Sequence, residues 1–152
     1  MNFSKLTWGV KASFRGYVQA AGGSTSLSDG AAHTEDGAFI FEASPDGDLA
    51  ISPDGKASGA ARFHGTVTFE AHGGMLKSTL TELGIEAGDD GLVLTALEGP
   101  MNTGRCTIAQ LRLIEVDAGD VIKLGAQITV DGMYQIADNY PPGTELDSLI
   151  LE

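Results

Sequence analysis

Ser13 and Tyr17 stand four residues apart in the segment 6–18, LTWGVKASFRGYV, and His72 opens the run His72-Gly73-Gly74. Four residues is about one helical turn, so a helix here would put the hydroxyl and the phenol on one face. A tyrosine on a short amphipathic helix is either a core-edge aromatic with its hydroxyl at water or a metal ligand. A histidine ahead of two glycines reads most simply as a polar residue closing a strand. By residue type alone the core-edge reading of the tyrosine is likewise the simpler, and neither residue by itself assigns a function.

Other chemistry is poorly represented. The chain contains no Gly-x-Ser-x-Gly elbow, phosphate loop or dinucleotide-binding glycine fingerprint. Three histidines and one cysteine lack zinc-type spacing. Cys106, between Arg105 and Thr107 in an expected strand, reads as a small core residue rather than a nucleophile. The carboxylate pairs Glu35-Asp36 and Asp89-Asp90 read as solvated turn residues, and no acidic turn continues into an EF-hand loop, so calcium is not expected. An enzyme is not expected.

These candidates need elements to position them. Asp-Gly occurs six times, at 29–30, 36–37, 46–47, 54–55, 90–91 and 131–132. The pair is favoured where both central residues of a tight hairpin turn need positive φ. Between these turns lie short alternating runs, and the clearest predicts a strand over 62–71. Its Phe63, Val67 and Phe69 share one face, and His64, Thr66, Thr68 and Glu70 the other. Further strands are expected over 6–10, 37–43, 76–80, 92–97, 107–116, 126–130 and 146–151. The segment 11–20 lacks two-residue alternation and ends in Ala-Ala-Gly-Gly, which predicts a short helix. Gly16 lowers its propensity by about 1 kcal/mol relative to Ala, so the helix needs tertiary support. The same glycine would let a flat molecule approach the backbone. The expected fold is mostly β, an antiparallel β-sandwich-like single domain spanning 1–152 with one or two short helices.

Composition agrees with that class. Twenty-one glycines against five prolines suit many tight turns, and 42% apolar residues can bury a core in a chain of 152 residues. Nine basic residues against 21 acidic ones give a formal charge of −12. That charge repels phosphate backbones and anionic lipid, so neither nucleic acid nor a membrane surface is an expected partner. The N-terminal residues contain no uninterrupted apolar region of a secretory signal, and no stretch is long enough to span a bilayer. Either a cytoplasmic protein or a piece of a longer exported one fits.

The two candidate segments, taken together, resemble a family. LTWGVKASFRGYV (6–18) is similar to the opening signature of HtaA domains, bacterial haem-binding modules of iron-acquisition systems. The resemblance continues through DGAFIFEA (36–43) and FHGTVTFEAHGGMLKSTL (63–80), and closes with ITVDGMYQIADNYPPGTELDSLILE (128–152). These blocks stand in family order over nearly the whole chain, which therefore looks like a complete domain. The resemblance implies that Tyr17 is the axial ligand to haem iron. It also implies that Ser13 contacts the haem at a propionate, that His72 hydrogen-bonds the ligand tyrosine, and that Tyr140 is a further haem contact. Where the family carries Phe-Tyr before its final turn this chain has Asn139-Tyr140, and where a Phe is common three residues earlier it has Ile136. The aromatic wall on that side is expected to be thinner. Family members are secreted or surface-associated, and the partners implied are haem and other haem-relay proteins.

The residue types suit that role. Ferric iron is a hard cation and phenolate oxygen a hard ligand. Free tyrosine titrates near pH 10, so ligation at neutral pH draws on the charge of the metal. A hydrogen bond from His72 would set how strongly the phenolate donates, and displacing that histidine offers a route to release. Phe14, Val18, Phe39, Phe41, Met75 and Leu76 are candidates to line an apolar slot. Arg15 and Lys11 are the cations nearest in sequence for propionates, although ordinary surface charge is their simpler role. The expected function is reversible ferric haem binding for uptake, relay or sequestration. The alternative is a structural or interaction domain of the same fold with weakened haem binding.

Overall fold

The computed structural model describes residues 3–88, 91–97, 104–117, 121–136 and 140–152. Along the chain run β1 (Lys5–Trp8), α1 (Ala12–Ala20), β2 (Ser24–Ser28), β3 (Ala32–His33), β4 (Phe39–Ala43), β5 (Ala50–Ile51), β6 (Ala57–Ser58) and β7 (Ala60–His64). There follow β8 (Thr66–Ala71), a 3-10 turn (His72–Gly74), β9 (Leu76–Thr81), β10 (Gly84–Gly88), β11 (Gly91–Leu97) and β12 (Arg105–Asp117). The last elements are β13 (Val121–Ile128), α2 (Val130–Gln135) and β14 (Glu145–Leu151).

The fold is mostly β and antiparallel with two short helices, but the expected sandwich is corrected to a barrel. The main sheet runs β1-β14-β13-β12-β11-β10-β7-β4, and β1 also pairs with β4, so these eight strands close on themselves. Closure pairs both edges of every strand in the ring, which two facing sheets cannot do. Register shifts at Leu94/Thr95, Leu113/Glu115 and Leu124/Ala126 bend the wall as bulges do. Beside the barrel lie a smaller sheet, β2-β8-β9, and the β5–β6 hairpin.

The expected single strand over 62–71 is two strands. Its alternation survives, with Phe63, Val67 and Phe69 fully buried and His64 exposed. Gly65, however, adopts φ +136°, and a Cβ there would come within 2.8 Å of Phe41. At this break β7 stays in the barrel between β4 and β10, while β8 turns away to sit between β2 and β9.

The other expected strands are present with shifted ends. The segment 126–130 belongs to the longer β13, and Val130 begins α2 instead. There the Thr129 hydroxyl accepts the Gly132 N–H at 3.0 Å as an N-cap, so Asp131-Gly132 forms the first turn of a helix and not a hairpin. The polar strand β2 (STSLS) was not anticipated, because only Leu27 in it is even half-buried.

Of the Asp-Gly pairs, Asp29-Gly30 alone among the described residues has both members at positive φ (57° and 97°). Gly37 and Gly55 take the left-handed position by themselves, at φ 89° each. In these two turns, and at Asp46, a hydroxyl two residues upstream donates to the aspartate: Thr34 to Asp36, Ser44 to Asp46 and Ser52 to Asp54. Those bonds are the main reason that all three carboxyls sit below the usual aspartate range. Asp89 and Asp90 lie outside the described residues.

The core runs from the barrel into the helix-covered small sheet. Leu6 and Trp8 of β1 face inward beside Phe39 and Phe41 of β4, in register Leu6–Phe41 and Trp8–Phe39. Phe14 and Val18, one turn apart on α1, are buried on the small sheet. Phe14 meets Phe69 edge-on at 4.9 Å, and Phe69 meets Phe39 at 5.7 Å, so an aromatic chain joins helix, small sheet and barrel. Cys106 is buried, as expected of a small core residue. No described helix is long and apolar enough to cross a membrane.

Candidate functional site

With Phe14 and Val18 turned into the core, the neighbouring flank of α1 presents Ser13 and Tyr17 to the outside; Tyr17 is 44% exposed. Two other elements close on this flank. At the C-terminal part of the helix the β8–β9 connection brings His72, whose Nε2 lies 2.5 Å from the Tyr17 hydroxyl with the rings tilted at 56°. At the N-terminal part, the segment after α2 brings Tyr140, whose hydroxyl lies 3.0 Å from that of Ser13. The ring of Tyr140 packs edge-on to Phe14 at 6.3 Å. The four residues expected at the site are thus brought together as two pairs along one flank.

The glycines after His72 have a local cause. His72, Gly73 and Gly74 adopt φ of 55°, 67° and 94°, three consecutive left-handed residues. Histidine is among the residues that tolerate this region, whereas the glycines enter it at no steric cost. The turn closes with the Met75 N–H on the His72 carbonyl at 3.3 Å, which leaves the imidazole projecting from the strand end towards α1.

The expected apolar lining divides. Phe14, Val18, Phe39 and Phe41 are all core residues; Phe14 underlies the site, whereas Phe41 packs beneath Gly65. Leu76 is half-buried and Met75 is 91% exposed beside His72. Ile136 is buried and Asn139 lies outside the described residues. Both candidate cations are tied to the barrel: Lys11 donates to the Glu145 carbonyl at 2.6 Å, and Arg15 pairs with Asp147 at 3.4 Å. A cavity of about 460 Å³ lies against α1 between Arg15, Gln19, His33 and Asp36, and includes none of Ser13, Tyr17, His72 or Tyr140.

Sequence reasoning missed two features here. Asp147 of β14 accepts the Ala12 N–H at 3.1 Å at the start of α1. The signal for it was indirect: the helix begins after Lys11, which has no side chain able to cap it. Helix α2 exposes Val130 and Tyr134, by 52% and 73%. Its sequence, VDGMYQ, read as the end of a strand and a turn.

The donor set fits an iron tetrapyrrole. A phenol oxygen is accessible on a helix flank with an imidazole in hydrogen-bond contact, a serine hydroxyl lies one turn away, and the floor is aromatic. No group of three or more His, Cys, Asp or Glu side chains suited to a bare metal ion occurs among the described residues.

The HtaA family model, described as Htaa, matches residues 4–152. None of the curated proteins matches. The chain is similar in structure to the C-terminal domain of HtaA from Corynebacterium glutamicum, with TM-score 0.74 and 26% identity over 98% of this chain and 95% of that one. It is similar to the N-terminal domain of the same protein, with TM-score 0.74 and 23% identity over 99% and 96%. It also resembles the heme binding protein HtaB of that organism, with TM-score 0.67 and 16% identity over 98% and 91%. The last two likenesses are of fold alone.

Proposed function

The chain belongs to the HtaA family, and from that premise we propose that it is a haem-binding module that takes up ferric haem reversibly, through Tyr17, for uptake, relay or sequestration. The observation that carries this reading is the contact between the Tyr17 hydroxyl and His72 Nε2 at 2.5 Å, on an exposed helix flank. When bound, the haem would supply the ferric iron whose charge favours the phenolate form of its ligand. Tyr17 would hold the iron and His72 would tune the phenolate by its hydrogen bond. Ser13 would offer its hydroxyl to a haem carboxylate, and Tyr140 would flank it. The buried Phe14–Phe69 pair gives α1 a fixed seat, so the phenol is presented without reorganisation.

Residues 1–152 are read as one such module, non-catalytic, working with other haem-relay proteins at or outside the cell surface. HtaB, which shares this fold, is a heme binding protein by name; that likeness is of fold, and the haem reading rests on the family and on the site. A second reading, an interaction domain with weakened haem binding, is favoured by one feature. Ile136 places a buried aliphatic side chain where the family more often has an aromatic one.

The test is a titration of the purified protein with ferric haem beside a Tyr17→Ala variant, followed in the visible spectrum. A saturable Soret band with tyrosinate charge-transfer features, lost in the variant, is expected. Full affinity in Tyr17→Ala would overturn the ligand assignment. No saturable binding by the parent protein would favour the interaction domain.

A further inference from the structure

We propose that Asp147 is the positioning residue of the site: it fixes α1 against the barrel wall and so sets where Tyr17 meets His72. This inference rests on the haem reading above and adds a residue to it. Helix α1 starts badly by its own sequence. Lys11 at its N-cap supplies no side-chain acceptor, and no acidic residue occupies its first turn. The chain also reaches it through Val10, a buried β-branched residue at φ +65°, a conformation such residues rarely adopt. A helix of nine residues with an uncapped start and a strained entry needs an external hold.

Asp147 supplies that hold with four contacts across the β1–α1 junction. Its N–H donates to the Val10 carbonyl at 2.9 Å, and its carbonyl accepts the Trp8 indole N–H at 2.8 Å. Its carboxylate takes the Ala12 N–H on Oδ1 at 3.1 Å and faces Arg15 through Oδ2 at 3.4 Å. Arg15 in turn donates to the Gly9 carbonyl at 3.1 Å, which closes a loop of contacts from strand to helix and back. Gly9 makes room for it: a Cβ there would stand 2.5 Å from the Arg15 guanidinium and 2.9 Å from Asp147. A negative charge at a helix N-terminus is also favourable for the helix dipole.

The division of labour within Asp147 makes the idea testable. Its two main-chain contacts do not depend on the side chain, so they survive replacement by Ala or Asn and keep β14 joined to the junction. The carboxylate contacts go only to α1, the helix that carries Ser13 and Tyr17. Removing the carboxylate therefore loosens the helix while the strand pairing stays.

The experiment compares the parent protein with Asp147→Ala and Asp147→Asn. It measures ferric haem affinity, the tyrosinate charge-transfer band, and amide hydrogen exchange of α1 and the barrel in the haem-free protein. Asp147→Ala is expected to weaken haem binding about tenfold, to move the charge-transfer band, and to speed exchange in α1 but not in the barrel. Asp147→Asn keeps an acceptor for the Ala12 N–H and should fall between the two. Unchanged affinity and an unchanged band in Asp147→Ala would overturn the proposal. If the parent binds no haem, the haem reading fails on its own. Positioning is then judged by α1 exchange and by the ¹⁵N shift of His72 Nε2; no change in either overturns it. Should Asp147→Ala not fold, Asp147→Asn and Arg15→Gln carry the same comparison.

Discussion

The hydroxyl of Tyr17 lies 2.5 Å from Nε2 of His72, a contact across 55 positions of sequence between the outer flank of a helix and a strand end. Each side has its own support: the phenol rides on a helix anchored by Phe14 and Val18, and the imidazole projects from a turn that needs two glycines. Replacing His72 by Ala leaves the Tyr17 oxygen in place but strips its partner. Ferric haem affinity should fall about 10- to 100-fold, with a shift in the charge-transfer band. Equilibrium titration and the visible spectrum check this, and an unshifted band with parental affinity would remove His72 from the site.

Ser13 and Tyr140 share a hydrogen bond of 3.0 Å. If Ser13 serves a haem carboxylate, Tyr140 competes for its hydroxyl. Ser13→Ala should then weaken haem binding about fivefold, the effect of losing about 1 kcal/mol, whereas Tyr140→Phe should leave affinity equal or slightly raised. Equal losses in both variants would show that the pair acts as one unit.

Phe69 is fully buried between Phe14 of the helix and Phe39 of the barrel. Truncation to Ala leaves a cavity where three elements meet, and should destabilise the fold by about 3–5 kcal/mol. Urea unfolding should show a lower midpoint at an unchanged slope. A loss below about 1 kcal/mol would mean that the small sheet contributes little to the cooperative unit.

Asp36, Asp46 and Asp54 each sit below the usual aspartate range, chiefly because Thr34, Ser44 and Ser52 donate to them. A lowered folded-state pKa means stabilisation that is present above the unfolded value, near pH 4, and lost as pH falls through the folded one. The triple variant Thr34→Val, Ser44→Ala, Ser52→Ala should therefore lose less stability than the parent on acidification below about pH 4. All three carboxyls are solvent-exposed, so the effect should be small and salt-sensitive. Denaturant midpoints from pH 7 to pH 3 measure it, and parallel profiles for the two proteins would count against it.

Much of this protein was legible in its residue order, because the relevant signals are local. Alternation marked most strands, and Phe63, Val67 and Phe69 fell on the buried face as their spacing required. The loss of alternation over 11–20 marked α1, and the four-residue spacing put Ser13 and Tyr17 on one flank. The resemblance to HtaA domains then singled out His72 and Tyr140, which no periodicity would have chosen.

What the tertiary structure decided was everything that depends on partners distant in sequence. A barrel and a sandwich share the same alternation, and only the pairing of β1 with both β14 and β4 distinguishes them. The turn of the chain at Gly65 is invisible as a pattern, because the burial alternation runs straight through it; the contact with Phe41 makes glycine necessary there. Asp131-Gly132 has the same letters as a hairpin turn, yet the Thr129 cap makes it helical. Asp147 looks like any acidic residue in a strand until β14 lies beside the start of α1. Side-chain spacing reports which face a residue takes, but only the folded chain brings Asp147 to the helix and His72 to Tyr17.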